Sequence, residues 1–305
     1  MIAQQFTFKN KDHIKIHVYK WSPEKAAKGI IQIAHGMAET AKRYEYFAQA
    51  MTEEGFIVYA NDHRGHGQSA ISTKDLGYIS DNDGFDDMVT DMKTLTGIAK
   101  KENPRLPVIL FSHSMGSFLA QRYIQLYGDN IRGVILSGTN GRPEPILGVG
   151  TIIAKVIMKL GGRKASGKIL DALSFGSYNK RIQGPKTKFD WLSTDEGQVE
   201  QYMNDPYCGT LFPVSFFYDL FKGLKIIHKK ENLKQVPKNL HIFIFAGDED
   251  PVGNYGKGIM DLYKTYQSLG IEDVTYKLYP KGRHEMLNEI NRDEVIKDVI
   301  EWIDR

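Results

Sequence analysis

The stretch Pro107-Val-Ile-Leu-Phe-Ser-His-Ser-Met-Gly-Ser-Phe-Leu-Ala120 decides how this chain is read. Val108 to Phe111 is a short apolar run of the kind that a fully buried strand needs. Leu119, Ala120, Tyr123, Ile124 and Tyr127 then recur at helical spacing, and Gly128 closes the helix. Between the two lies Ser112-His-Ser114-Met-Gly116, so a serine stands where a strand must turn sharply into a helix. Such a turn pushes the serine out at the top of a sheet and sets the Met115 backbone N–H beside it.

Sterics choose among the three serines. In a strand-turn-helix elbow the residues two before and two after the exposed serine nearly touch, so both must be small. Ser114 has Ser112 and Gly116 there; Ser112 has Leu110 behind it and Ser117 has Leu119 ahead. Only Ser114 fits. The usual pattern has glycine at the first of these positions, so Ser112 is a small departure.

Outward from this stretch, strands and helices alternate. Residues 4–8 and 14–20 are expected to form a half-exposed hairpin, since Ile14, Ile16 and Val18 alternate with Lys15, His17 and Tyr19. Ile30–Ala34 and Phe56–Ala60 are buried strands, separated by a helix with Tyr44, Phe47, Ala48 and Met51 on one face. Asp81-Asn-Asp-Gly84 is expected to cap a long helix carrying Phe85, Met88, Val89, Met92, Leu95 and Ala99. Gly133–Ser137 is the next strand, after which the rhythm stops. It resumes at Leu240–Ala246, followed by a helix, the strand Val274–Tyr279 and a final helix. Short alternation of this kind means a mostly parallel sheet flanked by helices. The expected division is therefore a core of 1–141 and 235–305, with 142–234 inserted where loops leave the strand ends, the side on which such sheets bind ligands.

Composition narrows the class. The chain has 305 residues, 41% hydrophobic and 25% charged, with a net charge of +3, too small to argue for nucleic acid. Cys208 is the sole cysteine, which excludes an internal disulfide and a cysteine-rich metal site. Met1 to Asn10 lacks the apolar core of a signal peptide, and the run Ile146–Leu160 is broken by Lys155 and Lys159. A cytoplasmic protein with no metal or cofactor is expected.

A serine hydroxyl becomes nucleophilic when a base takes its proton, and the base needs a third group to hold its tautomer. Of nine histidines, only His284 follows the carboxylates Asp248, Glu249 and Asp250, which themselves follow a late strand. The order serine, acid, histidine is that of doubly wound hydrolases. Asp250 is favoured as the acid because a residue beyond the strand tip can curl toward the histidine and Pro251 fixes the turn; Asp248 is the reserve. Two backbone donors must hold a developing oxyanion. Met115 supplies one; Met37 supplies the other, after Gly36 in the loop that follows an early strand.

His35-Gly-Met-Ala-Glu39 with Arg43-Tyr44, Asp62-His-Arg-Gly-His-Gly67, His113-Ser-Met-Gly116, Asp250-Pro-Val252 and Arg283-His-Glu285 together resemble the motifs of the α/β-hydrolase superfamily. More narrowly they resemble its monoacylglycerol lipase and lysophospholipase branch, often labelled serine aminopeptidase-like. The resemblance implies the α/β-hydrolase fold, an esterase triad of Ser114, Asp250 and His284, oxyanion donors at Met37 and Met115, and a mobile helical cap over an acyl pocket. Asp62, Arg64 and His66 resemble a structural motif, a buried charged turn below the site.

The insertion adds a substrate hint. Ile146, Leu147, Val149, Ile152, Ile153, Val156, Ile157 and Leu160 make a segment apolar nearly all round, and Phe175, Tyr178, Phe189, Trp191 and Phe212 to Phe221 follow it. Such a cap could line an acyl pocket, though each of these side chains could equally pack the cap's own core. Arg163, Lys164, Lys168 and other basic residues cluster between 155 and 188, which fits either transient contact with a lipid surface or a solvated face. The expected substrate is a small acyl ester, a lipid-like monoester such as a monoacylglycerol or lysophospholipid. A small-ester esterase, a thioesterase or a serine peptidase would use the same triad, and a receptor that no longer turns over is a further alternative.

Overall fold

The structure, a computed structural model, describes residues 1–142 and 146–305. Its frame is an eight-stranded sheet: β1 (Ile2–Lys9), β2 (Lys15–Ser22), β3 (Gly29–Ala34), β4 (Phe56–Asn61), β5 (Val108–His113), β6 (Gly133–Ser137), β7 (His241–Gly247) and β8 (Asp273–Tyr279). The spatial order is β1-β2-β4-β3-β5-β6-β7-β8; β1 and β2 pair antiparallel, β2 pairs antiparallel with β4, and all other neighbours are parallel. This is the mostly parallel sheet that the alternation predicts.

The central strands are buried on both faces, which is why they read as unbroken apolar runs. Their side chains divide by parity. Ile30, Val108, Leu110, Ile242 and Ile244 join one core. Ile31, Ile33, Ile109, Phe111, Phe243 and Phe245 join the other. The first core is covered by α2 (Gly84–Glu102) and α3 (Met115–Tyr127), the second by α1 (Glu45–Glu53) and the C-terminal Arg292–Ile303 helix.

Among the described residues, five α-helices lie between β6 and β7: α4 (Ile146–Gly161), α5 (Lys168–Phe175), α6 (Glu196–Asn204), α7 (Val214–Ile227) and the short α8 (Lys230–Leu233). α9 (Lys257–Ser268) and α10, the C-terminal helix, complete the chain. α7 anchors this section, with Phe216, Phe217 and Phe221 buried in the first core beside Phe212. A side chain on Gly150 of α4 would meet the Phe221 ring at 2.5 Å, so the two helices pack closely there.

Two expectations need correction. The Asp81–Gly84 quartet does not cap α2 through a side chain; the Gly84 N–H instead approaches the buried Asp219 carboxylate of α7 at 3.4 Å. Arg163 is not part of a solvated basic face, because its guanidinium pairs with the same Asp219 at 2.9 Å and donates to the Ser80 carbonyl. Both were illegible locally, since the partner lies on a distant helix. The side chain of Ile146 and residues 143–145 lie outside the described residues.

Candidate active site

β5 ends at His113 and α3 begins at Met115, leaving one residue for the turn. Ser114 takes φ 51° and ψ −122°, a conformation unfavourable to any residue with a side chain. The neighbours explain how it is held. A Cβ on Gly116 would sit 2.1 Å from the Ala34 carbonyl oxygen, so no larger residue fits two positions after the serine. Two positions before it, Ser112 is accommodated because its hydroxyl donates to the Ile135 carbonyl at 2.7 Å. The Ser114 N–H donates to the Ser137 carbonyl, and Ser117 Oγ donates back to the Ser114 carbonyl. The Ser112 hydroxyl is thus accommodated with its hydrogen bond satisfied.

His284 follows β8 and Asp250 follows β7, on adjacent strands of one sheet edge. The imidazole Nδ1 lies 3.0 Å from both Asp250 carboxylate oxygens, and both residues are buried, at 1% and 0% exposure. Asp248 is turned elsewhere: its carboxylate accepts from the Lys281 N–H at the surface. Burial opposes charge on the His284 ring, but the Asp250 carboxylate outweighs it and holds the ring's pKa above the ordinary 6.5. His284 Nε2 is buried and without a partner among the described residues, so the expected serine–histidine hydrogen bond is not made here. Such contacts commonly tighten only when substrate binds.

The loop after β3 comes up against the serine, for a Cβ on Gly36 would be 3.1 Å from Ser114 Cβ. Met37 and Met115 N–H carry no hydrogen bond among the described residues, which leaves both for an oxyanion. That loop is held by Glu39, Arg43 and Tyr44, whose roles no local sequence pattern announces. Glu39 accepts from the Gly36 N–H at 2.5 Å, from Tyr44 at 2.9 Å and from Arg43 at 2.8 Å. Arg43 then forks onto Glu285 at 2.7 and 2.6 Å, which ties the Gly36–Met37 loop to the His284 loop. Glu285 keeps a depressed pKa despite its burial, because the guanidinium faces it.

Below the site, Arg64 is buried between Asp91, Asp87 and Asp12, at 2.7 to 3.1 Å, and Asp62 accepts from the Ala41 and Gln68 N–H groups. His35, His63 and His66 cluster beside this turn, with His35 Nε2 accepting from the His63 N–H. Burial pushes His35 and His113 down to about 4 and His66 to about 3, and His63 falls well below its usual value. Between pH 6.5 and 4 the unfolded chain binds these protons and the native state does not, so stability falls as pH falls through that window. His35, His113 and His66 each contribute about 3 kcal/mol to the loss, and His63 acts in the same direction. Asp62 and Asp219, raised to about 6 by burial, act in the opposite sense, as do Asp91, Asp171 and His284, against six lowered histidines once His17 and His228 are counted. The Tm should therefore fall markedly between pH 7 and pH 4.5 in calorimetry; a flat Tm would contradict the neutral cluster.

Among the described residues, no group of three or more His, Cys, Asp or Glu side chains converges as a metal site, and no helix is long and apolar enough to cross a membrane. A cavity of about 490 Å³ opens beside Thr40, Asp62 and Gln68 under the 204–207 segment; its lining excludes Ser114 and His284.

The chain resembles known proteins over nearly its whole length. The family model described as "Serine aminopeptidase, S33" matches residues 25–291. The chain is 29% identical to the monoacylglycerol lipase of Mycolicibacterium smegmatis over 304 residues, covering 98% of this chain and 96% of the relative. It is 25% identical to the human monoglyceride lipase, covering 93% and 84%. Among solved structures, a thermostable carboxyl esterase from Bacillus coagulans in complex with glycerol superposes with a TM-score of 0.92 at 32% identity, covering 100% of this chain and 98% of that one. The chain belongs to the serine aminopeptidase S33 family of the α/β hydrolases, and within it is a monoacylglycerol lipase-like serine ester hydrolase.

Proposed function

We propose that this enzyme cleaves lipid-like carboxylic monoesters, monoacylglycerols or lysophospholipids, through an acyl-enzyme formed on Ser114. His284 takes the serine proton at Nε2 and returns it to the leaving alcohol, while Asp250 fixes the Nδ1–H tautomer. The Met37 and Met115 amides receive the tetrahedral oxyanion. Water then repeats the sequence and releases the fatty acid. The 142–234 insertion acts as a lid.

The observation that carries the lipid reading is the apolar cover. Ile153 and Ile157 of α4 are half-buried and pack inward against the Phe217 and Phe221 core. On the outward side of the same segment Val149, Ile152, Val156 and Leu160 are exposed, Leu160 at 84%, with Ile169 and Leu173 of α5 beside them. Lys155, Lys159 and Lys168 flank this face and are exposed. An apolar face rimmed by cations suits an anionic lipid surface, which gives the lid its partner. A second reading, a small-ester esterase, draws on the similarity to the Bacillus coagulans carboxyl esterase.

One substrate panel separates them. Each buried methylene is worth about 0.8 kcal/mol, or roughly fourfold, so kcat/KM for monomeric esters should climb several-fold per carbon from acetate until the pocket fills. Ile153→Asp should flatten that climb and leave acetate esters nearly unaffected. Substrate carried in anionic vesicles should turn over faster than in zwitterionic ones. A preference for acetate over octanoate, with equal rates on both vesicles, selects the small-ester reading.

A further inference from the structure

We infer that Trp191 is a positioning residue for His284, through which the inserted section holds the catalytic base. The inference rests on the Ser114–Asp250–His284 reading of the site. The indole lies 5.0 Å from the imidazole, ring centre to ring centre, at 39°. The His113 ring meets the same imidazole from the core at 4.6 Å. Backbones are joined as well. The His284 N–H donates to the Trp191 carbonyl at 3.4 Å and the Glu285 N–H to the Leu192 carbonyl at 2.7 Å. Arg283 closes the seam by donating to the Asp190 and Ser193 carbonyls at 2.7 and 3.0 Å. The Trp191 ring is stacked by Phe175 at 6° and edged by Tyr178, and its backbone N–H donates to Asn179 Oδ1.

An imidazole must keep Nδ1 on the carboxylate and Nε2 toward the serine; Asp250 and the His113 ring hold it from the core, and the indole is its contact from the inserted section. A rigid aromatic plane packed on the ring restricts its rotation and keeps water off the Asp250 hydrogen bond, which a low dielectric strengthens. The charged and titratable groups around the ring are Asp250, Glu285, Glu39, Arg43 and His113, all from the core. The indole adds no charge. Its effect is therefore on orientation and hydration.

The test uses the full chain and a soluble short-chain ester. Trp191→Ala should lower kcat by roughly 100-fold with little change in KM, the cost of a small misplacement of a catalytic group. Its kcat/KM midpoint should shift as water reaches the ring, because hydration relieves the burial that opposes charge and screens the Asp250 carboxylate that favours it. Trp191→Phe should restore most of the activity, because a plane remains. A spectroscopic readout is independent of turnover: protonated imidazole quenches an adjoining indole, while Trp21 and Trp302 pack on Tyr19 and Phe243 instead. Wild-type emission should fall as pH drops through the kinetic midpoint, and the titration should vanish in Trp191→Phe and in His284→Ala. An unchanged kcat and pH profile in Trp191→Ala overturns the inference. So does an emission titration that survives in Trp191→Phe, which reads the contact even if the alanine variant does not fold. Turnover that persists in His284→Ala refutes the triad itself, a result distinguishable from either.

Discussion

Ser114→Ala should lose ester turnover by about 10⁶-fold, the order of loss when the nucleophile of a serine triad is removed. The argument is geometric. Ser114 is the elbow residue, held at φ 51° between Ser112 and Gly116, with Gly36 of the oxyanion loop packed against it. No other hydroxyl is placed to substitute. Ser112 is committed to the Ile135 carbonyl inside the sheet, and Ser117 to the Ser114 carbonyl one turn into α3. Alanine preserves the turn, since it removes one oxygen from an already strained backbone, so thermal stability should not fall. Steady-state kinetics on a short-chain ester, with the melting curve beside them, measure both quantities. Residual activity within 100-fold of wild type would mean that another group attacks the carbonyl.

Asp250→Asn should cost about 10⁴-fold in turnover by favouring the wrong imidazole tautomer. It also has a pH signature. The base must be neutral to accept the serine proton, so activity rises with pH through the His284 ionisation. Asp250 holds that ionisation above the ordinary histidine value; with the carboxylate gone, burial is opposed only by the lesser pull of Glu285 and Glu39, and the midpoint should shift to lower pH. Asp248→Asn should do neither, because that carboxylate faces the Lys281 amide at the surface. If Asp248→Asn shows the loss and Asp250→Asn does not, the acid assignment is reversed. The pH–rate profiles of the two variants decide it.

The sheet and the placement of Ser114 at the turn and of Asp250 beside His284 were legible in the sequence for different reasons. Strands such as Ile30–Ala34 announce themselves because burial on both faces requires an unbroken apolar run. Ser114 followed from sterics two residues either side, and Asp250 from the way a residue beyond a strand tip can curl. What stayed hidden depends on pairing across the chain. Arg43 and Glu285 are 242 positions apart, and no local pattern says that a guanidinium will fork onto that carboxylate. Asp219 looks like an ordinary helix aspartate until α2 and Arg163 close on it. Trp191 is one aromatic among many in the insertion; its place on the histidine is a product of tertiary packing, which residue type and spacing do not encode.

The central claim, that one serine at the β5–α3 turn performs covalent ester hydrolysis, is tested most directly by mapping a fluorophosphonate adduct to a single residue by peptide mass spectrometry. The account predicts stoichiometric modification of Ser114 alone, with activity lost in proportion to labelling. An adduct on Ser112 or Ser117, or full activity in fully labelled protein, would contradict it.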